Sequence, residues 1–409
     1  MDVWGIDQGA TFDLCVVGGA GHVGLPLSIV FAAHGLRVLI CDVNRQALDT
    51  IAAGELPFME RGAEPLLRSA LDSNRLCLTT DPKDVAKCSS IIIVIGTPVD
   101  EFLNPSMKPL VACVDSLLPH LSDDQLLILR STVYPGVTDS IANYLQSKNK
   151  STKVAFCPER IVQGHAVEEL QSLPQLVGGT TPEATHAAAD LFSHICPKVT
   201  RLRPIEAELV KLFSNAYRYI QFATTNQFYL IAKSAGVDYS QVLEAMKDGY
   251  PRMADVPGPG FAAGPCLFKD TMQLTAFYRN QFSIGHAAML VNESLPSFVV
   301  DNLAQQFPLE TMTVGLLGMA FKADSDDPRS SLSYKLKKLL MFRAREVLTT
   351  DPYVTTDPSL RPLDEVIARS DALVVCTPHR IYRELDLRHK RVVDVWNLWR
   401  TQAAEAVGS

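Results

Sequence analysis

The chain has 409 residues, 47% of them hydrophobic and 20% charged, with a formal net charge of −7. That length exceeds what one hydrophobic core supports, so two or three domains are expected, and the composition excludes a disordered or fibrous chain. The mild acidity argues against a nucleic-acid or polyanion partner.

The opening Met-Asp-Val-Trp-Gly-Ile-Asp-Gln lacks the basic start of a signal peptide. No apolar run reaches spanning length, Ile91 to Ile95 being a strand-sized piece, so no membrane partner is expected. The nine cysteines are odd in number and scattered, without Cys-x-x-Cys. Most lie in strand-like runs (Cys15, Cys41, Cys376), which suits reduced thiols in a cytoplasm. The nine histidines show no ligand spacing, so no metal site is expected.

Phe12-Asp-Leu-Cys-Val-Val17 is a short apolar strand followed at once by the turn Gly19-Ala-Gly-His-Val-Gly24. Pro26 to His34 has helical spacing and stops at Gly35, and the next strand, Arg37 to Cys41, closes on Asp42. Strand, G-x-G-x-x-G turn, helix, strand and an acid about twenty residues on make the full dinucleotide fingerprint. Gly19, Gly21 and Gly24, with His22 and Val23 between them, would let the backbone approach a pyrophosphate whose charge the helix N-terminus stabilises. Asp42 would accept hydrogen bonds from the adenosine ribose diol and repel a 2′-phosphate. NAD is therefore favoured over NADP, although nearby Arg45 leaves the second open.

Ser90 to Pro98 and Gln125 to Gly136 are apolar runs that fit strands of a parallel sheet covered on both faces. Their polar ends put Thr97 and Thr132 where an open α/β sheet binds ligands, near the nicotinamide, unless they are ordinary strand-end threonines. A third run, Lys153 to Arg160, places Glu159 and Arg160 at a strand end.

Pro204 opens a helix that runs to Ser234 and stops at Gly236. About thirty residues at 1.5 Å each span roughly 45 Å, more than one small domain needs. Its centre, Asn215 to Leu230, is apolar or aromatic on nearly every face, so the helix is expected to be buried all round, as a domain connector and subunit interface. Lys211 and Asn215 share one of its faces; a buried lysine needs an anionic partner, and a snorkelling one does not. A second helix, Ser240 to Lys247, leads through Tyr250-Pro-Arg252 to the Gly/Pro-rich stretch Pro257 to Thr271. Regular structure is excluded from that loop, and the helix expected from Lys269 sets Cys266 just before a helix N-terminus, which favours a thiolate. On the loop alone, a buried structural cysteine is the competing reading.

Helix Gly285 to Ala304 contains Pro296 and should kink there. A second α/β unit follows: strand Thr311 to Leu317, a Gly318 turn carrying Lys322, the acidic loop Asp324 to Arg329, helix Leu332 to Arg345, strand Glu346 to Thr350 before Asp351, strand Asp371 to Pro378 and strand Arg391 to Val395. The expected fold is α/β, with two Rossmann-like doubly wound parallel-sheet domains joined by the long central helix. The boundaries read as 1–203, 204–306 and 307–409, and Lys322 and Arg329 are the cations available to the last part.

With these residues assembled, the chain resembles the UDP-glucose/GDP-mannose dehydrogenase family over nearly its whole length. The motifs that match in order are Gly19–Gly24, Thr97-Pro98, Ser131-Thr-Val-x-Pro-Gly136, Pro158-Glu159-Arg160, Lys211 with Asn215, Gly264-x-Cys-x-x-Lys-Asp270, and Gly318-x-Ala-Phe-Lys322 with Asp326 and Arg329. The resemblance implies a helical dimerisation region between the two sheet domains, a homodimer through the central helix, NAD as cofactor, a UDP-sugar as substrate and a four-electron oxidation of the sugar 6-alcohol to a UDP-uronic acid. Such products feed polysaccharide or glycoconjugate synthesis by family habit. It also implies roles: Cys266 as the nucleophile forming a thiohemiacetal and then a thioester, and Lys211 and Asn215 stabilising the oxyanion. Asp270, aided by Thr132 and Glu159, would orient or deprotonate the hydrolytic water. Arg160, Arg252, Gly264, Lys269 and Lys322 would join Glu159, Lys211 and Asn215 around the substrate.

The family pattern is not matched throughout. Ala263-Gly-Pro precedes the cysteine where glycine is common, and Trp396 stands where UDP-glucose enzymes usually carry an arginine. Lys269-Asp270 resembles the UDP-glucose branch, whereas Pro257-Gly-Pro-Gly and Tyr250-Pro-Arg252 resemble the branch acting on UDP-N-acetylhexosamines, to which the reading leans. A two-electron β-hydroxyacid or 6-phosphogluconate-type dehydrogenase needs no cysteine, and a catalytically silent nucleotide-sugar binder needs neither the lysine nor the thiol.

Overall fold

The structure, a computed structural model, describes Trp4 and residues 9–100, 106–262 and 264–399. Ala263 of the cysteine loop and most of the opening segment read for a leader lie outside the described residues. The chain divides into two compact units, Met1–Ser214 and Asn215–Ser409.

In the first unit the apolar runs become eight strands: β1 (Phe12–Val17), β2 (Val38–Cys41), β3 (Leu76–Thr79), β4 (Cys88–Ile93), β5 (Leu126–Leu129), β6 (Lys153–Phe156), β7 (Gln175–Gly179) and β8 (Val199–Leu202). They form one sheet in the order β3-β2-β1-β4-β5-β6-β7-β8, parallel throughout except where β7 pairs antiparallel with β6. Helices cover both faces, so successive side chains of one strand enter different cores. Leu14 and Val16 pack with the first helix, Gly24–Ala33, while Cys15 and Val17 pack with Val114 and Ile141 on the other side. A fully buried aliphatic side chain such as Leu14 or Val16 contributes about 1.5–3 kcal/mol. The order of connections reverses between β1 and β4, and an open sheet leaves its ligand crevice at such a point.

The long helix spans Pro204–Ser234, 31 residues, with proline at its first position and Gly236 just beyond its last. Its expected burial on all sides is not what a single chain shows. Leu212, Ala216, Tyr219 and Ala223 are buried, but Phe213, Tyr217, Phe228 and Ile231 are 54%, 64%, 41% and 57% exposed. Apolar sequence on every face says that a helix should be covered, not which chain covers it.

The second unit holds β9 (Thr313–Leu317), β10 (Glu346–Thr350), β11 (Ala372–Val375) and β12 (Arg391–Asp394), all parallel in the order β10-β9-β11-β12. The helix expected over 332–345 stops at Leu340. Arg345 already gives its N–H to Leu309 O, and Glu346 pairs with Thr313, so the chain must leave the helix to enter β10. The cysteine helix, Leu267–Phe277, and a second long helix, Ser283–Gln306, which contains Pro296, complete this unit. One core unites Phe261 of the cysteine loop with Leu295 and Val299 of that helix and with Val314 and Leu316 of β9. Among the described residues no helix is long and apolar enough to cross a membrane.

Candidate active site

The glycine turn after β1 shows why each of its small residues is there. A side-chain carbon on Gly24 would lie 2.5 Å from Gly19 Cα, so the first helix can start against the turn only with glycine at this position. On Gly21 such a carbon would meet nothing closer than Gly18 O at 3.8 Å, which leaves the room that a pyrophosphate needs. Val23 directly precedes the helix, and the His22 ring lies against Phe58 at 4.0 Å. Asp42 Oδ2 accepts the Ala20 N–H at 2.9 Å and Oδ1 the Asn44 N–H at 2.9 Å, yet the residue is half-exposed and free to meet a ribose. Arg45 is turned over the Trp4 ring at 5.5 Å. The turn, the acid and the helix N-terminus fit NAD, which when bound supplies the hydride acceptor.

The strand-end residues of this unit are tied to one another. Thr97 Oγ1 donates to Thr132 O at 2.5 Å, and Ser131 Oγ to Ile95 O at 2.5 Å, so the loops after β4 and β5 are bonded to each other. Glu159 accepts the Arg160 and Ile161 N–H groups on Oε1, at 2.6 and 2.9 Å, and the Arg130 guanidinium on Oε2. Arg130 is almost wholly buried; it also reaches Cys157 O and Gln175 Oε1 and lies over Phe192. The Arg160 guanidinium donates to Pro174 O. Lys211 is half-buried on the long helix.

Three residues before Lys211, Glu208 is fully buried. It takes the Gly136 N–H at 2.6 Å, the Thr138 N–H at 2.9 Å and the Thr138 hydroxyl at 2.5 Å, capping the helix Val137–Ser147. One carboxylate thus joins the turn that carries Thr132 to the helix that carries Lys211. Burial pushes its carboxyl up, against the pull of the Thr138 hydroxyl and the two amides. Glu208→Gln sets a donor against these donors, and an expected loss of about 1–3 kcal/mol should lower the first unit's midpoint in scanning calorimetry. An unchanged midpoint would show that the cap is not needed.

In the second unit Cys266 is exposed and occupies the position just before the cysteine helix, as its loop sequence suggested. Gly264 holds the loop at φ +104°, and a side-chain carbon there would lie 2.5 Å from the Phe321 ring. Arg329 is held by Asp327, which raises its pKa, and interaction with Cys266 adds to that. A cation there stabilises negative charge on the sulfur. Asp270, one turn after Cys266 on the same face, is wholly buried. Its Oδ2 accepts Asn215 Nδ2 at 2.5 Å, and its Oδ1 is 3.4 Å from Lys269 Nζ. The structure therefore joins Asn215 to Asp270, a pairing across 55 positions that no spacing rule reveals.

Further residues of the second unit hold the loop. Asn226 takes the Gly260 N–H at 2.8 Å and donates to Gly260 O at 3.0 Å, and Asn292 Oδ1 accepts its amide at 2.9 Å. Trp396 lies on Gly260, where a side-chain carbon would be 2.3 Å from its ring. Arg252 stacks over Tyr250 at 4.9 Å, and Lys322 is half-buried after the Gly318 turn. Glu208, Arg130 and Asn226 escaped the motif reading; a charged or amide residue inside an apolar helix or at an apolar strand end was the available signal. Among the described residues no group of three or more histidine, cysteine or acidic side chains is placed to hold a metal ion.

The glycine turn with its pyrophosphate room and the acid closing β2 define an NAD-dependent oxidoreductase. Residues 13–196 match the NAD binding domain of the UDP-glucose/GDP-mannose dehydrogenase family, residues 205–294 its central domain and residues 315–401 its UDP binding domain. The chain belongs to this family and is an NAD-dependent UDP-sugar dehydrogenase. It is 30% identical to a UDP-N-acetyl-D-mannosamine dehydrogenase of Methanococcus maripaludis, covering 94% of this chain and 92% of that one. Two solved structures have a TM-score of 0.87 at 27% identity: a UDP-D-ManNAc dehydrogenase from Pyrococcus horikoshii (94% and 95% of the two chains) and a UDP-glucose dehydrogenase from Pyrobaculum islandicum (97% of each).

Proposed function

We propose that the chain oxidises C6 of a UDP-N-acetylhexosamine from alcohol to carboxylate, in two hydride transfers and one hydrolysis. The observation that carries this reading is Cys266, exposed at the start of a helix whose first turn buries Asp270. A two-electron alcohol oxidation has no use for that thiol. C6 gives up two hydrides in succession, and NAD held at the glycine turn and Asp42 would supply the acceptor for each. In the first step the hydroxyl proton leaves to a base and C6 becomes an aldehyde. Cys266 Sγ then bonds to C6, and Lys211 with Asn215 stabilises the oxyanion of the adduct. Loss of the second hydride leaves a thioester on Cys266. Asp270, assisted by Thr132 and Glu159, orients the water that cleaves it, releasing the uronic acid and the thiol.

The N-acetylhexosamine assignment is supported by the loop Pro257–Gly260, by Trp396 seated on that loop, and by the substrate named for the Methanococcus and Pyrococcus relatives. Arg160, Arg252, Gly264, Lys269 and Lys322 complete the substrate contacts, and residues 1–203, 204–306 and 307–409 divide the work of NAD binding, dimerisation and UDP-sugar binding. A second copy of the chain covers the exposed stripe Phe213, Tyr217, Phe228 and Ile231, giving a homodimer. Nine free cysteines suit a reducing cytoplasm.

The test is NADH formed per sugar, run to completion with UDP-N-acetylmannosamine, UDP-N-acetylglucosamine and UDP-glucose in turn. Two NADH per molecule of one N-acetylhexosamine are expected. One NADH would favour a two-electron dehydrogenase, and two NADH from UDP-glucose alone would move the substrate to that branch.

A further inference from the structure

The two sheets end their second strands in the same way and use the result differently. Asp42 follows β2 and Asp351 follows β10, and each acid turns back to the amides of the glycine turn in its own sheet. Ala20 N–H meets Asp42 Oδ2 at 2.9 Å; Met319 and Ala320 N–H meet Asp351 Oδ2 at 2.6 and 2.9 Å. Asp42 stays half-exposed. The Asp351 side chain is inaccessible to solvent: its Oδ1 takes the Tyr353 and Val354 N–H groups at 2.8 and 3.0 Å, and His379 Nε2 lies 3.1 Å from its Oδ2.

His379 is equally buried, between the edges of Tyr353 and Tyr382 at 5.1 and 5.4 Å. Its Nδ1 accepts the Asp324 N–H at 2.9 Å, which places its hydrogen on Nε2 and makes it the donor to Asp351. Asp324 in turn accepts the Arg380 N–H at 3.0 Å and its guanidinium. The short loop that carries Lys322 is therefore fixed at its start by Asp351, through Met319 and Ala320, and at its end by His379, through Asp324. Burial pushes the Asp351 carboxyl up, but the His379 hydrogen bond and the amides of Ala320 and Tyr353 outweigh it and bring it down to about 2.

We infer that Asp351 and His379 are a positioning pair that sets the Lys322 loop to receive the UDP moiety of the substrate. Where the cofactor-binding sheet leaves its acid an open edge for a ribose, the second sheet closes that edge with a histidine and turns the acid to loop geometry. The inference rests on the reading that Lys322 contacts the UDP-sugar.

UDP alone, titrated calorimetrically into the full chain, tests the pair without requiring turnover. His379→Ala is expected to bind UDP at least about tenfold more weakly. His379→Gln, which keeps an amide N–H able to reach Asp351, is expected to recover to within about threefold of the wild type. The KM for NAD should stay within about twofold in both. A folded His379→Ala that binds UDP like the wild type overturns the proposal, and so does an equal loss in the alanine and glutamine variants, which would mean packing alone. If His379→Ala does not fold, Asp351→Asn decides: wild-type UDP affinity in that variant overturns the pair, and selective loss of UDP affinity supports it. A wild type that fails to bind UDP removes the Lys322 reading and the pair together, whereas normal wild-type binding with unaffected variants overturns the pair alone.

Discussion

Cys266→Ser is expected to lower the rate of uronic acid formation at least about a thousandfold, a barrier increase of roughly 4 kcal/mol. An aldehyde has a C6 hydrogen to give, but a hydride leaves it readily only from a tetrahedral adduct, and the adduct needs a nucleophile. A thiolate serves at neutral pH because an appreciable fraction of the group is ionised; a serine hydroxyl in the same place is almost wholly protonated. The surroundings of Cys266 favour the anion: it precedes the first turn of Leu267–Phe277, and Arg329 interacts with it. Because the residue is exposed, the substitution should leave the thermal midpoint nearly unchanged, surface replacements typically lying within about 0.5 kcal/mol of neutral. Activity lost with stability retained assigns the thiol to chemistry. Full turnover in the serine variant would sink the thioester route.

The elements that could be read directly are those whose pattern has a single physical cause. Phe12–Val17 begins and ends where its apolar run does, because a strand covered on both faces tolerates few polar residues. Cys266 precedes its helix because glycine and proline exclude regular structure up to that point. The helix expected over 332–345 ends early, since Met341 and Phe342 continue its apolar pattern but are 63% and 88% exposed. Periodicity there could not register that β10 must already be pairing with β9. Within the site, residue types were legible and partners were not. Glu159 was named without Arg130, Asn215 without Asp270, and Glu208 not at all; each contact joins positions at least 29 apart, and only the fold brings them together.

A substitution at Asp270, which accepts the Asn215 amide, is expected to separate the proposed hydrolytic step from the oxidations. Asp270→Asn keeps the shape of the side chain and removes its charge and its capacity to accept a proton. If Asp270 serves the water that cleaves the thioester, both hydride transfers should still occur and the acyl group should remain on Cys266. The expected progress curve is a rapid burst of up to about two NADH per site, then a steady rate about 10²–10⁴ lower than wild type. Mass spectrometry of the stalled protein should find the sugar acid esterified to Cys266. Asp270 is wholly buried beside Asn215, so the variant also changes a hydrogen bond, and a structural effect has to be told from a chemical one. The burst does this: a distorted site would slow the first hydride as much as the last step, and no burst would appear. A linear time course at a reduced rate would therefore assign Asp270 to loop geometry, and a burst ending in a trapped thioester would assign it to the water.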